Sequence, residues 1–154
     1  MKENQVLSEG EVKELLETRP VGYLALAEKD RPYLVPLNFV CLQGNIYFHC
    51  GPFGRKVDII TANPRACFHT GLIGEVAASD QPCSFNYHYH SVLVEGSLSE
   101  VTGKAEKQEI LQKLVEKYTG PGRLNNAMPE EMIEVTRVYC LTPEVISGKK
   151  DSAG

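Results

Sequence analysis

No stretch of this 154-residue chain approaches the roughly 18 consecutive apolar residues of a membrane-crossing helix, so no membrane partner is expected. The N-terminus, Met1-Lys2-Glu3-Asn4-Gln5, leads into polar sequence without the apolar core of a secretory signal, and the expected location is cytoplasmic. Positive charge is not in surplus. Sixteen basic residues stand against 20 acidic ones, for a net charge of -4 and a pI near 5.6, which disfavours a nucleic-acid partner. The five cysteines (Cys41, Cys50, Cys67, Cys83, Cys140) are odd in number, scattered, and never in C-x-x-C spacing. That excludes neither thiol chemistry nor burial, but a disulfide scaffold and a thiolate zinc knot both read poorly. Repeats, linkers and low-complexity tracts are also missing, so residues 1–154 read as a single domain.

What is present is ordinary core material: 42% hydrophobic and 23% charged residues, enough for one real core and too little charge for a disordered chain. Ser8-Glu9-Gly10-Glu11 has the form of a capping box, with Leu7 and Val12 placed for a hydrophobic staple. Val12, Leu15 and Leu16 continue one helical stripe, and Pro20 stops it. Three antiparallel strands are predicted next, over Val21–Ala27, Tyr33–Val40 and Ile46–Cys50, turning at Glu28–Arg31 and Gln43–Asn45. Arg55–Ala62 reads as a short helix closed by Asn63-Pro64. Ala66–Thr70 and Tyr89–Val101 read as further strands, with Gly71–Asn86 partly loop between them. Ile110, Leu111, Leu114, Val115 and Tyr118 recur at helical spacing, a face expected to pack on the sheet, and end at Gly120-Pro121-Gly122. A short helix near Pro129 and a last strand over Glu134–Leu141 complete the chain. The sum is mainly β with peripheral helices: about six strands in an antiparallel barrel with helices outside it.

The segment richest in chemistry is Ile46-Tyr47-Phe48-His49-Cys50-Gly51-Pro52-Phe53-Gly54-Arg55-Lys56. A strand ends, a glycine-containing loop turns, and a helix begins with two adjacent cations. Cations in a first helical turn oppose the positive end of the helix dipole. Together with the free N–H groups of that turn, Arg55 and Lys56 favour a bound dianion such as a phosphate ester. The alternative is a pair of solvated basic residues on a surface helix. The order G-x-x-x-x-G-K-[ST] is absent, so this is no P-loop.

This strand, loop, Arg-Lys pair and helix are followed by Asn63-Pro64-Arg65-Ala66-Cys67-Phe68 and Ser91-Val92-Leu93-Val94-Glu95-Gly96-Ser97-Leu98. In that order, from about Val12 to Lys149, the chain resembles the pyridoxamine 5'-phosphate oxidase superfamily of flavoproteins. Its Ile-Tyr-Phe-His segment and terminal Ile146-Ser147-Gly148-Lys149 are closer to the nitroimidazole-resistance branch. The resemblance implies a six-stranded antiparallel split β-barrel and a homodimer with flavin at its interface. FMN is the implied cofactor, ahead of FAD or haem. Arg55 and Lys56 match the pair that holds the FMN phosphate. Pro36, Leu37, Asn38 and Phe39 match the strand whose backbone lines the isoalloxazine edge. Phe48, His49 and Cys50 fall where the next strand passes the flavin, and Ser91 matches a flavin-contacting glutamine of the oxidases. The chain departs from those oxidases in lacking tryptophan, the basic residues of their second strand, and their C-terminal arginine pattern. Pyridoxamine phosphate oxidation is therefore disfavoured, and the expected activity is reduction of a small electron acceptor, such as a nitroaromatic. The competing reading is a non-enzymatic flavin- or haem-binding carrier or sensor.

His49 is the candidate catalytic residue, able to donate a hydrogen bond or proton to a reducible substrate beside a flavin, or else an ordinary core histidine. Cys50 is its sequence neighbour, and neighbours on a strand point to opposite faces, which speaks against a Cys–His couple. His88 and His90 share a strand face and invite a metal reading with Glu95, but Glu95 has the opposite parity. No metal is expected.

Overall fold

The computed structural model describes residues 6–81, 86–122 and 128–151. Cys83 lies outside them. The first helix, α1 (Glu9–Thr18), starts at Ser8 as the sequence predicts. The Glu11 carboxylate accepts from the Ser8 backbone N–H at 2.7 Å, and Ser8 Oγ accepts from the Glu11 N–H at 3.3 Å. Strands β1 (Gly22–Glu28), β2 (Arg31–Leu37), β3 (Val40–Leu42) and β4 (Asn45–Cys50) follow, then helix α2 (Arg55–Ala62). Two long strands, β5 (Arg65–Ala77) and β6 (Asn86–Glu100), precede helix α3 (Lys104–Thr119). Helix α4 (Glu130–Val135) leads into β7 (Arg137–Asp151). Among the described residues no helix is long and apolar enough to cross a membrane.

The strands form one antiparallel sheet in the order β2-β1-β5-β6-β7-β4-β3. Among the described residues there are seven strands rather than the six expected. The predicted strand Tyr33–Val40 is cut at Asn38-Phe39, and its two pieces lie on opposite edges of the sheet. Only three Cα–Cα steps separate Leu37 from Val40, so the two edges come within about 11 Å of each other there. The sheet therefore curls into a barrel that is split, not closed, between β2 and β3. Tyr118 on α3 holds this corner: its hydroxyl accepts from the Phe39 N–H at 2.8 Å and stands 2.8 Å from the Pro20 carbonyl.

Two further boundaries differ from expectation. Gly71–Ala77, expected to be partly loop, extends β5 because it pairs with β6, with an irregularity between Ile73 and Val76. Glu130–Val135 is helical, and the last strand starts at Arg137 and runs far beyond Leu141 because β6 pairs with it as far as Asp151.

Alternation along the strands sends Leu24, Leu26, Ile46, Phe48, Phe68, Val92, Val94 and Leu141 into the barrel, closed by Leu15 and Leu16 of α1 and Ile59 and Ile60 of α2. Phe39 and Phe68 meet edge to face at 4.7 Å, and Phe48 stacks on Tyr139 at 5.6 Å. On the outside of β3, β4 and β7, Ile110, Leu111 and Leu114 of α3 cover Val40, Val138 and Cys140 in a second core. The Ile146–Lys149 segment has a packing role. The Leu7 N–H donates to the Gly148 carbonyl at 3.2 Å, and a Cβ at position 148 would stand 2.7 Å from Leu7 Cβ. Glycine there lets the chain entering α1 lie flat against β7.

Candidate functional site

The β4–α2 junction is built as the motif requires. The strand ends at Cys50, and Gly54, with φ +123, turns the chain into α2 in a conformation that side chains disfavour. Among the described residues no side chain caps this helix start, and its first-turn N–H groups have no side-chain acceptor there. Arg137 steadies the loop, its Nε donating to the Pro52 carbonyl at 2.9 Å while Nη1 pairs with Glu100 at 2.6 Å. At the other end of α2, Asn63 Nδ2 donates to the Ala27 carbonyl and its Oδ1 accepts from the Arg65 N–H. The helix is thus fixed against β7 through the loop before its start and against β1 at its end.

Arg55 projects from this start with more than half of its side chain exposed, over the Tyr33 ring at 4.9 Å. Its Nη2 donates to Glu28 at 2.9 Å, so a carboxylate already occupies the guanidinium. Lys56 Nζ lies 5.6 Å from the Phe48 ring. An uncapped helix start, a guanidinium and an ammonium make a donor set that suits a phosphate dianion.

The remaining predicted residues fall into distinct places. Phe39 and Phe48 are wholly buried, so only their backbones could meet a ligand. Cys50 is half-buried, and burial raises its thiol pKa in spite of Lys56 and Arg137, which holds it protonated. His49 is exposed and faces away from the barrel core, as strand alternation requires. Desolvation and the nearby Lys56 ammonium lower its pKa, which favours the neutral imidazole. His49 and Asn38 share a 310 Å³ groove with Leu111, Tyr118, Met128 and Met132. Pro36 and Leu37 lie at the end of β2, beside the split.

Ser91 is elsewhere. It stands on the outward face of β6, opposite Gly71, and lines a 660 Å³ pocket with Arg19, Tyr23, His69 and His90. Tyr23 pairs with His69 at one end of β1, whereas Arg55 grips Glu28 at the other. Five residue steps along the strand separate those ends, about 17 Å. A single chain does not bring Ser91 and Arg55 together.

His88 and His90 share the parity of the buried Val92 and Val94, and exposed Glu95 lies on the other face. Among the described residues no group of three or more His, Cys, Asp and Glu side chains is arranged to hold a metal. Sequence reasoning missed Glu28 as the partner of Arg55, Arg137 as the support of the loop, and His69 as the partner of Ser91. Strand parity on β5 and β6 was a usable signal for His69 alone, because the other pairs join segments without a shared local pattern.

The structure closely matches solved folds. It superimposes on an FAD- and haem-binding protein from Mycobacterium smegmatis with a TM-score of 0.89 at 18% identity, covering 98% of this chain and 75% of that one. A flavocytochrome from Azotobacter vinelandii gives 0.86 at 20% identity, over 95% of this chain and 68% of that one. A candidate 5-nitroimidazole antibiotic resistance protein from Bacteroides thetaiotaomicron gives 0.81 at 19% identity, over 96% and 90%. Comparison with curated proteins finds no match. The pyridoxamine 5'-phosphate oxidase sequence profile matches residues 8–150, nearly the whole chain, and with the split barrel and its uncapped Arg-Lys helix start this shows that the chain belongs to that family.

Proposed function

We propose that this protein binds FMN between two copies of the chain and reduces a small electron acceptor, such as a nitroaromatic. The observation that carries the reading is the division of the site. Phosphate donors gather at the start of α2, beside Glu28 at one end of β1, and the family-matched ring contact, Ser91, lies on the outward sheet face beside the Tyr23–His69 pair at the other end, about 17 Å of strand away. A second copy that supplied one of them would complete the site. Arg55 and Lys56 would hold the phosphate, and the backbone of Pro36–Phe39 would line the ring. Bound flavin would supply the electron and hydride chemistry. Neutral His49 would donate a hydrogen bond to the acceptor from the Asn38 groove. A cytoplasmic setting would keep the unpaired thiols of Cys41, Cys50, Cys67 and Cys140 reduced.

A second reading, a carrier of flavin or haem, is favoured by the same groove, where neutral His49 stands with Met128 and Met132 on an apolar wall. Imidazole and thioether are both haem-iron ligands. The absorption spectrum of the purified protein separates the two: flavin bands for the first, a Soret band for the second. Chromatography should show a dimer of the 17.1 kDa chain that carries flavin, and reduced nicotinamide should be consumed only when an acceptor is added. A flavin-loaded monomer, or no affinity for flavin, overturns the first reading.

A further inference from the structure

The pocket that holds Ser91 contains an ordered side-chain pair. His69 Nε2 lies 3.0 Å from Ser91 Oγ, across the β5–β6 pairing on the outward face of the sheet. Gly71 is directly opposite Ser91, and its lack of a side chain leaves the diagonal open for the imidazole. On its other flank His69 meets Tyr23, with ring centroids 6.3 Å apart and planes inclined by 40°. The imidazole is therefore held between Tyr23 and Ser91. Arg19, at the end of α1, borders the same pocket, and its Nε is buried without a hydrogen-bond partner among the described residues.

A serine hydroxyl on a strand surface can occupy three staggered wells. Its bond to His69 selects one of them, and the hydroxyl's remaining hydrogen-bonding capacity is then presented to the pocket. With Nε2 unprotonated, Ser91 donates to His69 and offers lone pairs; with Nε2 protonated, Ser91 accepts and offers its proton. We propose that His69 is a positioning residue that fixes the Ser91 hydroxyl as a contact for the polar edge of a flavin ring seated between two copies of the chain. The inference rests on the flavin-binding reading above. It adds a role for His69 and assigns this pocket to the ring rather than to the phosphate.

The test is a double-mutant cycle read with two ligands. His69→Phe keeps an aromatic ring beside Tyr23 and removes the nitrogen; His69→Gln keeps a group able to bond the hydroxyl. Affinities for FMN and riboflavin are titrated by flavin fluorescence in wild type, Ser91→Ala, His69→Phe, His69→Gln and the double variant Ser91→Ala/His69→Phe. Ser91→Ala and His69→Phe should each weaken both ligands alike, by about three- to tenfold. Both should also shift the visible bands of the bound flavin, and His69→Gln should recover most of the loss. The double variant should bind no worse than Ser91→Ala, because His69 acts through Ser91.

Losses that multiply in the double variant, or that touch FMN and spare riboflavin, overturn the proposal. If wild type binds FMN and responds to Arg55→Ala while His69→Phe changes nothing, the inference falls and the flavin-binding reading stands. If wild type binds neither ligand, both fall.

Discussion

Replacing Glu28 and replacing Arg55 should move FMN affinity in opposite directions. The Arg55 guanidinium donates to Glu28 at 2.9 Å, and both side chains are about half exposed. An exposed pair of this kind is worth about 0.2–1 kcal/mol. A phosphate arriving at the α2 start must displace the carboxylate or share the guanidinium with it. Glu28→Gln removes that competition and should tighten FMN by about 1.5- to fivefold. Arg55→Ala removes a charge-assisted contact to the phosphate worth about 1.5–3 kcal/mol, so FMN should bind about ten- to a hundredfold more weakly. Neither change should unfold the barrel, since both side chains lie outside its core. Riboflavin, which has no phosphate, should respond to neither. The assay is a titration of both flavins against wild type and the two variants at one fixed ionic strength. Equal losses of FMN and riboflavin in Arg55→Ala would mean that the residue acts through folding. Unchanged FMN affinity would place the phosphate elsewhere, and weaker FMN binding in Glu28→Gln would refute the competition.

Two further predictions concern stability. Tyr118→Phe leaves the Phe39 N–H, in a buried residue, without its partner at the corner where β2 passes to β3. The cost should be about 1–2 kcal/mol, a fall in Tm of about 2–8 °C by calorimetry, and a Tm unchanged within a degree would refute the role of the hydroxyl. Glu11 is held at a pKa of about 2, down from 4.5, chiefly by its bond to Lys150 and then by the Ser8 N–H and hydroxyl. Because the folded pKa lies below the unfolded one, this stabilisation is present above pH 4.5 and is lost as pH falls towards 2. Glu11→Gln should therefore be less stable than wild type near neutral pH in urea melts, with the gap closing across that acid window. A gap independent of pH would refute the linkage.

Features set by near neighbours were legible in the sequence. The Ser8–Glu11 capping box and the limits of α2 follow from side chains within a few residues of the backbone groups they serve. The β1–β2 and β3–β4 hairpins follow from turn residues between alternating runs, and the adjacent cations Arg55 and Lys56 could be read as an anion site before any fold was known. The break at Asn38-Phe39 was not legible. Both flanks are extended, so local pattern does not reveal that the chain changes sheet edges there. The full lengths of β5 and β7 were hidden for a related reason: Gly71–Ala77 and Thr142–Asp151 are strand because β6 pairs with them.

The sequence by itself thus determined the residue types and the short-range geometry: one barrel-sized core, an uncapped Arg-Lys helix start, and a histidine and a cysteine on opposite faces of one strand. Tertiary structure decided which groups meet. Arg55 finds Glu28 across 27 residues, Arg137 finds Pro52 across 85, and His69 finds Ser91 across 22. These contacts depend on strand register and on how the sheet curls, and both come from packing over the whole barrel rather than from any one segment. Strand register likewise puts Ser91 beside the Tyr23–His69 end of β1, away from the Glu28 end that Arg55 grips.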